Sequence, residues 1–326
     1  MKKRTAELLD AHWTKERMTT DPDTLAQWIL YEVDEERHVA TITFNRPETL
    51  NAVPVAALEL VGDYVREAEA DDRVKVIVFK GEGSCFGTGA DGDELGFYIG
   101  YGSGEGKAGK KRPAQRQRML PDRNMLGESF MNPVTDCLKA TICQVHGYCY
   151  GGHMQLALGC DIVIASPDAT FTHPAFRYLG AAPQDMYLWI ENLGLKKMKE
   201  IILTMRPLEA HEAEQAGLVN KVVPREELDQ WVADYAQAIS MMPLDGLMMG
   251  KAVMQVTMNA RGKGVGETMC WIGHGWATNL GLQEGEFNFL RERAEKGLRK
   301  TLKDRDAAVA PYFRLGGRNQ PRKDQA

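Results

Sequence analysis

The chain has 326 residues, 44% of them hydrophobic and 26% charged, with a formal net charge of −5. This is the composition of a soluble folded protein with room for one large domain and a smaller one. It excludes a nucleic-acid binder that depends on a basic field, and no apolar run approaches the roughly 20 residues that cross a membrane. Met1-Lys2-Lys3-Arg4 is basic, but no apolar signal core follows, so secretion is not expected. The six scattered cysteines lack paired metal-ligand spacing and are expected to be reduced, buried thiols of a cytoplasmic protein. Cys143, His146, Cys149 and His153 lie close together, but a strand and a tight turn point them in different directions. No metal is expected.

Residues 1–28 are polar and charged and read as an N-terminal extension with helical stretches, with Trp13 and Trp28 as candidate anchors. Residues 29–33 and 39–44 read as strands, the second alternating in the period-two sense, with a hairpin turn at 34–37. Pro47 ends the pattern. Residues 55–70 form an amphipathic helix, with Leu58, Val61, Val65 and Ala68 at three- and four-residue spacing. Residues 74–79 are the next strand. Strand, helix, strand at this spacing predicts an α/β class with crossover connections.

A glycine turn follows at residues 81–91, and then a change of character. Residues 96–124 carry six glycines and the cluster Lys110-Lys111-Arg112-Pro113. Two readings stay open for this insertion, a lid or intersubunit loop and a solvated excursion. Residues 124–138 predict a helix and residues 142–145 a strand. Gly147, Gly151 and Gly152 form a second glycine loop, from which a helix starts at residue 153. Residues 161–166 and 169–172 are strands, and 173–185 is a loop containing Pro174 and Pro183. Helices are predicted at 186–190 and 196–205. From Pro243 the chain is helical and methionine-rich, and its methionine stripe reads as adaptable core. Residues 314–326 are a polar, frayed tail.

A glycine turn that feeds a helix leaves unpaired N–H groups converging with the positive end of the helix dipole behind them. Such a point suits an anion, or an oxygen that becomes one during reaction. A single turn of this kind is equally explained by close packing. Two such turns after two strands can each supply one N–H to a shared oxyanion hole.

Asn45-Arg46-Pro47, Asn51-Ala52, Phe86-Gly87-Thr88-Gly89-Ala90-Asp91, Gly147-Tyr148 through Gly151-Gly152, and Cys160-Asp161-Ile162-Val163-Ile164-Ala165 stand in order along the chain. Glu212-Ala213-Glu214-Gln215-Ala216-Gly217-Leu218-Val219-Asn220-Lys221-Val222-Val223-Pro224 follows them. Together they resemble the enoyl-CoA hydratase/isomerase (crotonase) superfamily over roughly residues 29–260. The resemblance implies an α/β fold, a crotonase-like spiral of repeated ββα units with a C-terminal helical region. It divides the chain into the extension at 1–28, a core domain at 29–245 with the insertion near 96–124, and an oligomerisation region and tail at 246–326. It also implies a homotrimer or dimer of trimers and a small-molecule substrate, a CoA thioester or a cyclic β-diketone. No cofactor is implied beyond CoA as part of the substrate, and the basic cluster of the insertion could meet CoA phosphates.

By this resemblance the N–H groups of Ala90 and Gly152 form the oxyanion hole. Gly89, Asp91, Gly151 and Gln155 line the substrate. The departures are as informative. Family hydratases place a glutamate three residues after the second oxyanion glycine, where this chain has Gln155, which carries no proton at neutral pH. A second glutamate is expected just after Pro174, where Ala175 or Phe176 stands. Ordinary two-glutamate hydration is therefore not expected. His153, His173 and Asp185 are the polar groups left for proton transfer. Each has a plain alternative: His153 and His173 as structural side chains, Asp185 as a helix cap.

A narrower likeness is to the β-diketone hydrolase (6-oxocamphor hydrolase) subgroup, with His153 on its oxyanion-binding histidine and Asp185 on its catalytic aspartate. That aspartate's histidine partner falls on Phe176, and the intact Gly89-Ala90-Asp91 turn favours a thioester instead. The expected reaction is C–C bond hydrolysis through an enolate, a retro-Claisen step using His153 and Asp185. The alternatives are hydration or isomerisation of an enoyl-CoA with Asp185 as base, and a silent acyl-CoA-binding member of the family.

Overall fold

The structure is a computed structural model that describes residues 21–92, 119–120, 122–179, 185–277 and 282–312. Residues 1–20, nearly all of the glycine-rich insertion, residues 180–184 and 278–281, and the C-terminal residues from 313 lie outside the described residues. A short helix α1 (Pro22–Trp28), capped by the Asp21 carboxylate, leads into β1 (Ile29–Asp34). β1 forms an antiparallel hairpin with β2 (Val39–Phe44). Helix α2 (Val55–Ala70) then crosses to β3 (Val76–Gly81). Five further parts follow: α3 (Met131–Thr135), β4 (Ala140–Val145), β5 (Tyr148–Tyr150), α4 (Gly152–Gly159) and β6 (Ile162–Ala165).

The main sheet has the order β1-β2-β3-β4-β6-β9, with β9 at Lys221–Val222, and is parallel from β2 onward. Parallel strands must be covered on both faces, and the side chains sort accordingly. Ile77 and Phe79 join the core under α2, whereas Val76 and Val78 pack with Leu228, Val232 and Ala236 of the helix Leu228–Ser240. β4 lies in the middle of the sheet and is buried at every position.

A second sheet has the order β5-β7-β8, with β7 at Thr170–Thr172 and β8 at Leu208–Glu209. The sequence alone reads residues 147–152 as one loop, yet Tyr148–Tyr150 form a strand in it, paired in parallel with Thr170–Thr172. Three other expectations are corrected. The helix expected over 124–138 is broken: Asn124–Glu128 is a π-helical turn, closed by Ser129 N–H on the Asn124 carbonyl at 2.7 Å, and a separate helix begins at Met131. Glu59 and Ser129 both bond the buried Asn124 side chain, and this tertiary demand outweighs the local helix propensity. The loop expected after Thr172 contains helix α5 (Ala175–Leu179). The helices expected at 186–190 and 196–205 are joined as α6 (Met186–Thr204), kinked at Gly194 where φ is 69°.

Beyond the core come α7 (Ala210–Ala216), α8 (Leu228–Ser240), α9 (Leu244–Ala260), α10 (Lys263–Ala277), α11 (Phe289–Lys296) and α12 (Leu298–Val309). The methionine stripe is not core within this chain. Met249 and Met254 of α9 are exposed, with Val253 and Val256 beside them, and only Leu247 and Lys251 of that helix are buried. Lys251 seats the helix by bonding Asp161, whose Oδ2 also accepts from the N–H and hydroxyl of Thr141. All six cysteines are free and five of them are buried. Among the described residues no helix is long and apolar enough to cross a membrane.

Asn51 fixes the first glycine turn. It is fully buried in the left-handed region at φ 56°, and its Nδ2 donates to the carbonyls of Glu82, Cys85 and Phe86 at 2.9, 2.8 and 3.3 Å. Its Oδ1 accepts from Arg46 N–H at 2.8 Å. Asn51→Ala strands these buried groups and is expected to cost about 1–3 kcal/mol. Asn51→Asp, with a carboxylate facing three carbonyl oxygens, is expected to cost more than the alanine. Urea unfolding of the two variants checks that order.

Candidate active site

Two glycine turns meet at one point because the chain beside the first turn is paired to β5. Phe86 N–H donates to the His146 carbonyl at 2.7 Å, Gly87 N–H to Tyr148 at 2.8 Å, and Tyr150 N–H to Gly87 at 2.9 Å. Two residues further on, both strands turn. Gly89 (φ 91°) and Gly151 (φ 58°) occupy backbone conformations that favour glycine. They also touch. A Cβ on Gly89 would lie 3.0 Å from the Gly152 nitrogen, and one on Gly151 would lie 3.9 Å from the Ala90 nitrogen.

Neither the Ala90 nor the Gly152 N–H donates to an acceptor among the described residues. Ala90 is exposed, and Gly152 is the first residue of α4, where the helix dipole adds to the amide. On either side the backbone is spoken for. Val53 brackets Ala90, its N–H donating to the Gly89 carbonyl and its own carbonyl accepting from Asp91 N–H, both at 2.9 Å. Gly151 N–H donates to the Thr172 carbonyl at 3.1 Å.

The side chains expected in the site are placed differently from one another. Asp91 is tied to Arg46 at 3.1 Å; Arg46 also donates to the Ala52 carbonyl and stacks its guanidinium 4.0 Å from the Trp28 ring centre. Gln155 is buried on α4, its backbone N–H bonded to the Gly151 carbonyl. His153, expected to handle protons, is buried on α4. Its ring lies behind the first turn, 4.2 Å from Phe44 and 5.2 Å from Phe86 between ring centres. Its Nδ1 accepts from Gly89 N–H at 3.1 Å. Its Nε2 is buried and faces Gly87, where any Cβ would come within 2.1 Å of it. Burial pushes its pKa down to about 3, so the ring is neutral, the state in which Nδ1 can accept.

His173 directly follows Thr172, whose carbonyl holds Gly151. Its Nδ1 is buried with no hydrogen-bond partner among the described residues. Burial, and then the neighbouring His274, push its pKa down to about 3. Asp185 is the N-cap of α6, its Oδ1 accepting from the N–H groups of Tyr187 and Leu188 at 3.1 and 3.4 Å. Burial raises its carboxyl to about 6, against the pull of those two amides. A carboxyl group with that acidity is poised for acid/base work near neutral pH. The second carboxylate position of the family pattern, at Ala175 or Phe176, opens helix α5 with no acid in it.

What covers Asp185 was not read from the sequence. Gly266 of α10 lies so close that a Cβ there would be 2.6 Å from the Asp185 Oδ1. Gly266, Cys270 and His274 follow at four-residue spacing and share one helix face. Burial, then Asp185 and Asp122, raise the Cys270 thiol. His274 Nδ1 lies 3.1 Å from Oδ1 of the fully buried Asp122. The four-residue spacing was the available signal, hidden because a glycine, a cysteine and a histidine do not resemble a hydrophobic stripe. Among the described residues no group of three or more histidine, cysteine or acidic side chains is arranged to hold a metal ion.

Comparison with known proteins agrees with this architecture. The family model described as enoyl-CoA hydratase/isomerase matches residues 34–268. The chain is 32% identical to a probable enoyl-CoA hydratase of Rhizobium meliloti, over 67% of this chain and 78% of that protein. It is 30% identical to a 1,2-epoxyphenylacetyl-CoA isomerase of Escherichia coli, over 68% and 80% respectively. Of solved structures, an enoyl-CoA hydratase from Mycobacterium smegmatis superposes with a TM-score of 0.74 at 25% identity, covering 88% of this chain and 95% of that one. An enoyl-CoA hydratase/isomerase from Xanthobacter autotrophicus gives 0.71 at 26% identity, covering 86% and 98%.

The raised carboxyl of Asp185 fixes the sign of a stability effect. Above about pH 6 the folded state holds a buried charge that the unfolded chain would solvate, and below its ordinary value of 3.8 that burden is gone. Asp185→Asn keeps a capping side chain and removes the charge. It is expected to raise stability by about 1–3 kcal/mol near pH 8, a gain that fades by about pH 4. Denaturant unfolding at several pH values measures it.

Proposed function

Because the chain belongs to the enoyl-CoA hydratase/isomerase family, we propose that it is an enzyme holding the enolate of an acyl-CoA thioester between the Ala90 and Gly152 amides. The observation that carries this reading is the contact of the two glycine turns, with neither amide given an acceptor among the described residues. A donor of this kind contributes about 3–4 kcal/mol to the transition state. Arg46, Asn51 and His153 act on the turn from behind, the first by holding Asp91, the second by holding three carbonyls, the third by holding Gly89.

The reaction we favour is hydrolysis of a carbon–carbon bond in a β-keto acyl thioester. Asp185 takes a proton from water as its oxygen attacks the β-carbonyl carbon. The Cα–Cβ bond breaks, and its electron pair moves into the thioester carbonyl, whose oxygen becomes the enolate anion between the two amides. Cα then takes up a proton, leaving a carboxylate and a shortened acyl-CoA. What supports this over two-glutamate hydration is Gln155 at one family glutamate position and Ala175 or Phe176 at the other. Asp185, at about 6, is the acid suited to the task.

Isomerisation is the second reading. It needs only one base, which removes a proton from one carbon and returns it to another, and the family, described as enoyl-CoA hydratase/isomerase, includes such reactions. Turnover of β-ketoacyl-CoA and of 3-enoyl-CoA in oxygen-18 water separates the readings by mass spectrometry. Cleavage places one heavy oxygen in a carboxylate product; isomerisation shifts the double bond without a mass change. Asp185→Asn is expected to lower kcat by about 10²–10⁴ in either case. Failure of both substrates would defeat the reaction assignments.

We also read the exposed stripe of Met249, Val253, Met254 and Val256 on α9 as a surface covered by further copies of the chain, in a trimer or dimer of trimers. Val253→Asp is expected to shift the mass measured by light scattering to that of a monomer.

A further inference from the structure

The C-terminal helices reach back to the first glycine turn. Arg293 of α11 is buried, and its Nη1 donates to the Gly92 carbonyl at 2.7 Å, across 201 residues of chain. Gly92 follows Ala90 by two residues. Leu298, the first residue of α12, covers it: a Cβ on Gly92 would lie 2.9 Å from the Leu298 Cδ2. Gly297, at φ 79°, turns the chain between the two helices, and its N–H donates to the Arg293 carbonyl at 2.9 Å.

The other end of the pair is fastened to α5. Asp306 of α12 accepts through Oδ1 from Arg177 Nη1 at 2.9 Å and from the Tyr178 hydroxyl at 2.6 Å. Arg305 Nε donates to the Arg177 carbonyl at 2.8 Å. Arg177 is buried and donates in turn to the Met205 carbonyl, just past α6, at 2.6 Å. Phe289 of α11 packs 6.0 Å from the Tyr178 ring, between ring centres. Helix α5 begins three residues after Thr172, whose carbonyl holds Gly151. One stretch of chain therefore grips the exit of the first turn and the wall that follows the second. The family model matches residues 34–268, so both helices lie beyond the matched span.

We propose that Arg293 is a positioning residue of the oxyanion hole, holding the exit of the first turn so that the Ala90 amide keeps its direction. The proposal rests on the enolate reading above. The direction of an amide is set by the peptides on either side of it. Before Ala90, the Gly89 N–H is held by His153 and its carbonyl by Val53; after it, the Asp91 N–H is held by Val53. The next joint is Gly92, which has no Cβ to restrict its backbone. Its carbonyl is the handle that remains, and a charged guanidinium grips a carbonyl more firmly than a neutral donor does. Glycine is required at this joint because Leu298 occupies the place of a side chain. The bonds of Asp306 and Arg305 to α5 keep the helix pair, and Arg293 with it, in reach of the turn. Arg293 acts through the Gly92 peptide, not on the substrate.

The experiment uses the full-length protein and butyryl-CoA in D2O, following exchange of the α-hydrogens by NMR, a step that needs enolisation but no bond cleavage. Arg293→Met keeps the apolar stem and removes the donor. It is expected to slow exchange by about 10–10² with little change in KM. Arg293→Lys retains a charged donor and is expected to recover part of the loss. Asp306→Ala frees the far end of the pair and is expected to slow exchange in the same direction, by less. Infrared spectra of bound butyryl-CoA carrying carbon-13 at the thioester carbonyl supply an independent reading. The parent protein is expected to lower the carbonyl stretch below that of free butyryl-CoA, and Arg293→Met to return it toward the free value. A parent exchange rate and carbonyl frequency in Arg293→Met, or a loss confined to KM, overturns the proposal and leaves the enolate reading intact. Absence of exchange in the parent protein, with butyryl-CoA and with longer homologues, defeats the enolate reading and the role of Arg293 with it. Thermal unfolding is followed for each variant. Should Arg293→Met fail to fold, Arg293→Lys and Asp306→Ala carry the comparison, and parent values in both overturn the proposal.

Discussion

The constraint on which the rest depends is the approach of one glycine turn to another, where a Cβ on Gly89 would come within 2.9 Å of the Tyr150 carbonyl oxygen. The rest of the core serves that approach. Residues 86–87 are laced to β5, so that the two strands arrive together. Val53 ties the backbone on either side of Ala90, and Thr172 ties Gly151. Arg46, braced on Trp28, holds Asp91. With the amides of Gly89, Asp91 and Gly151 committed, those of Ala90 and Gly152 have no acceptor among the described residues, the second at the head of α4. Preorganised donors of this kind are effective because they are already oriented before charge develops.

Histidines illustrate how little residue type says about role. His153 and His173 are both held near 3 by burial, yet one props a backbone amide and the other has a buried nitrogen without a partner among the described residues. Asp185 is pushed the other way by the same cause, because burial disfavours the charged form in each case. A neutral imidazole is what His153 needs to accept a hydrogen bond. A carboxyl group near neutrality is what proton transfer needs. One physical effect thus lowers the proton affinity of two histidines and raises that of a carboxylate.

Much of the architecture was legible in the order of residues. Helix α2 was bounded correctly because its apolar spacing and Asp71-Asp72 are local signals. The parallel strands were legible as short apolar runs, and the two glycine turns stood out because only glycine adopts those angles readily. What was not legible depended on distant partners. The break at Ser129 follows from bonds that Asn124 makes with Glu59, 65 residues away. The exposed methionines of α9 have a composition suited to a core. For His153, spacing places the residue beside the turn but does not say on which side of the backbone its ring falls. The face of α10 was missed because its meaning lies in what it covers.

Gly266 sits against the Asp185 carboxylate with no room for a methyl group. The acidity of that carboxylate is therefore set by how closely a helix from the far end of the chain is seated. Raising Lys263–Ala277 by the width of a water molecule would rehydrate the group and return it toward ordinary strength as an acid. Seating the helix again would restore the higher affinity for a proton. The docking of that helix and the basicity of the carboxylate are thus one variable, and any force that shifts the first retunes the second.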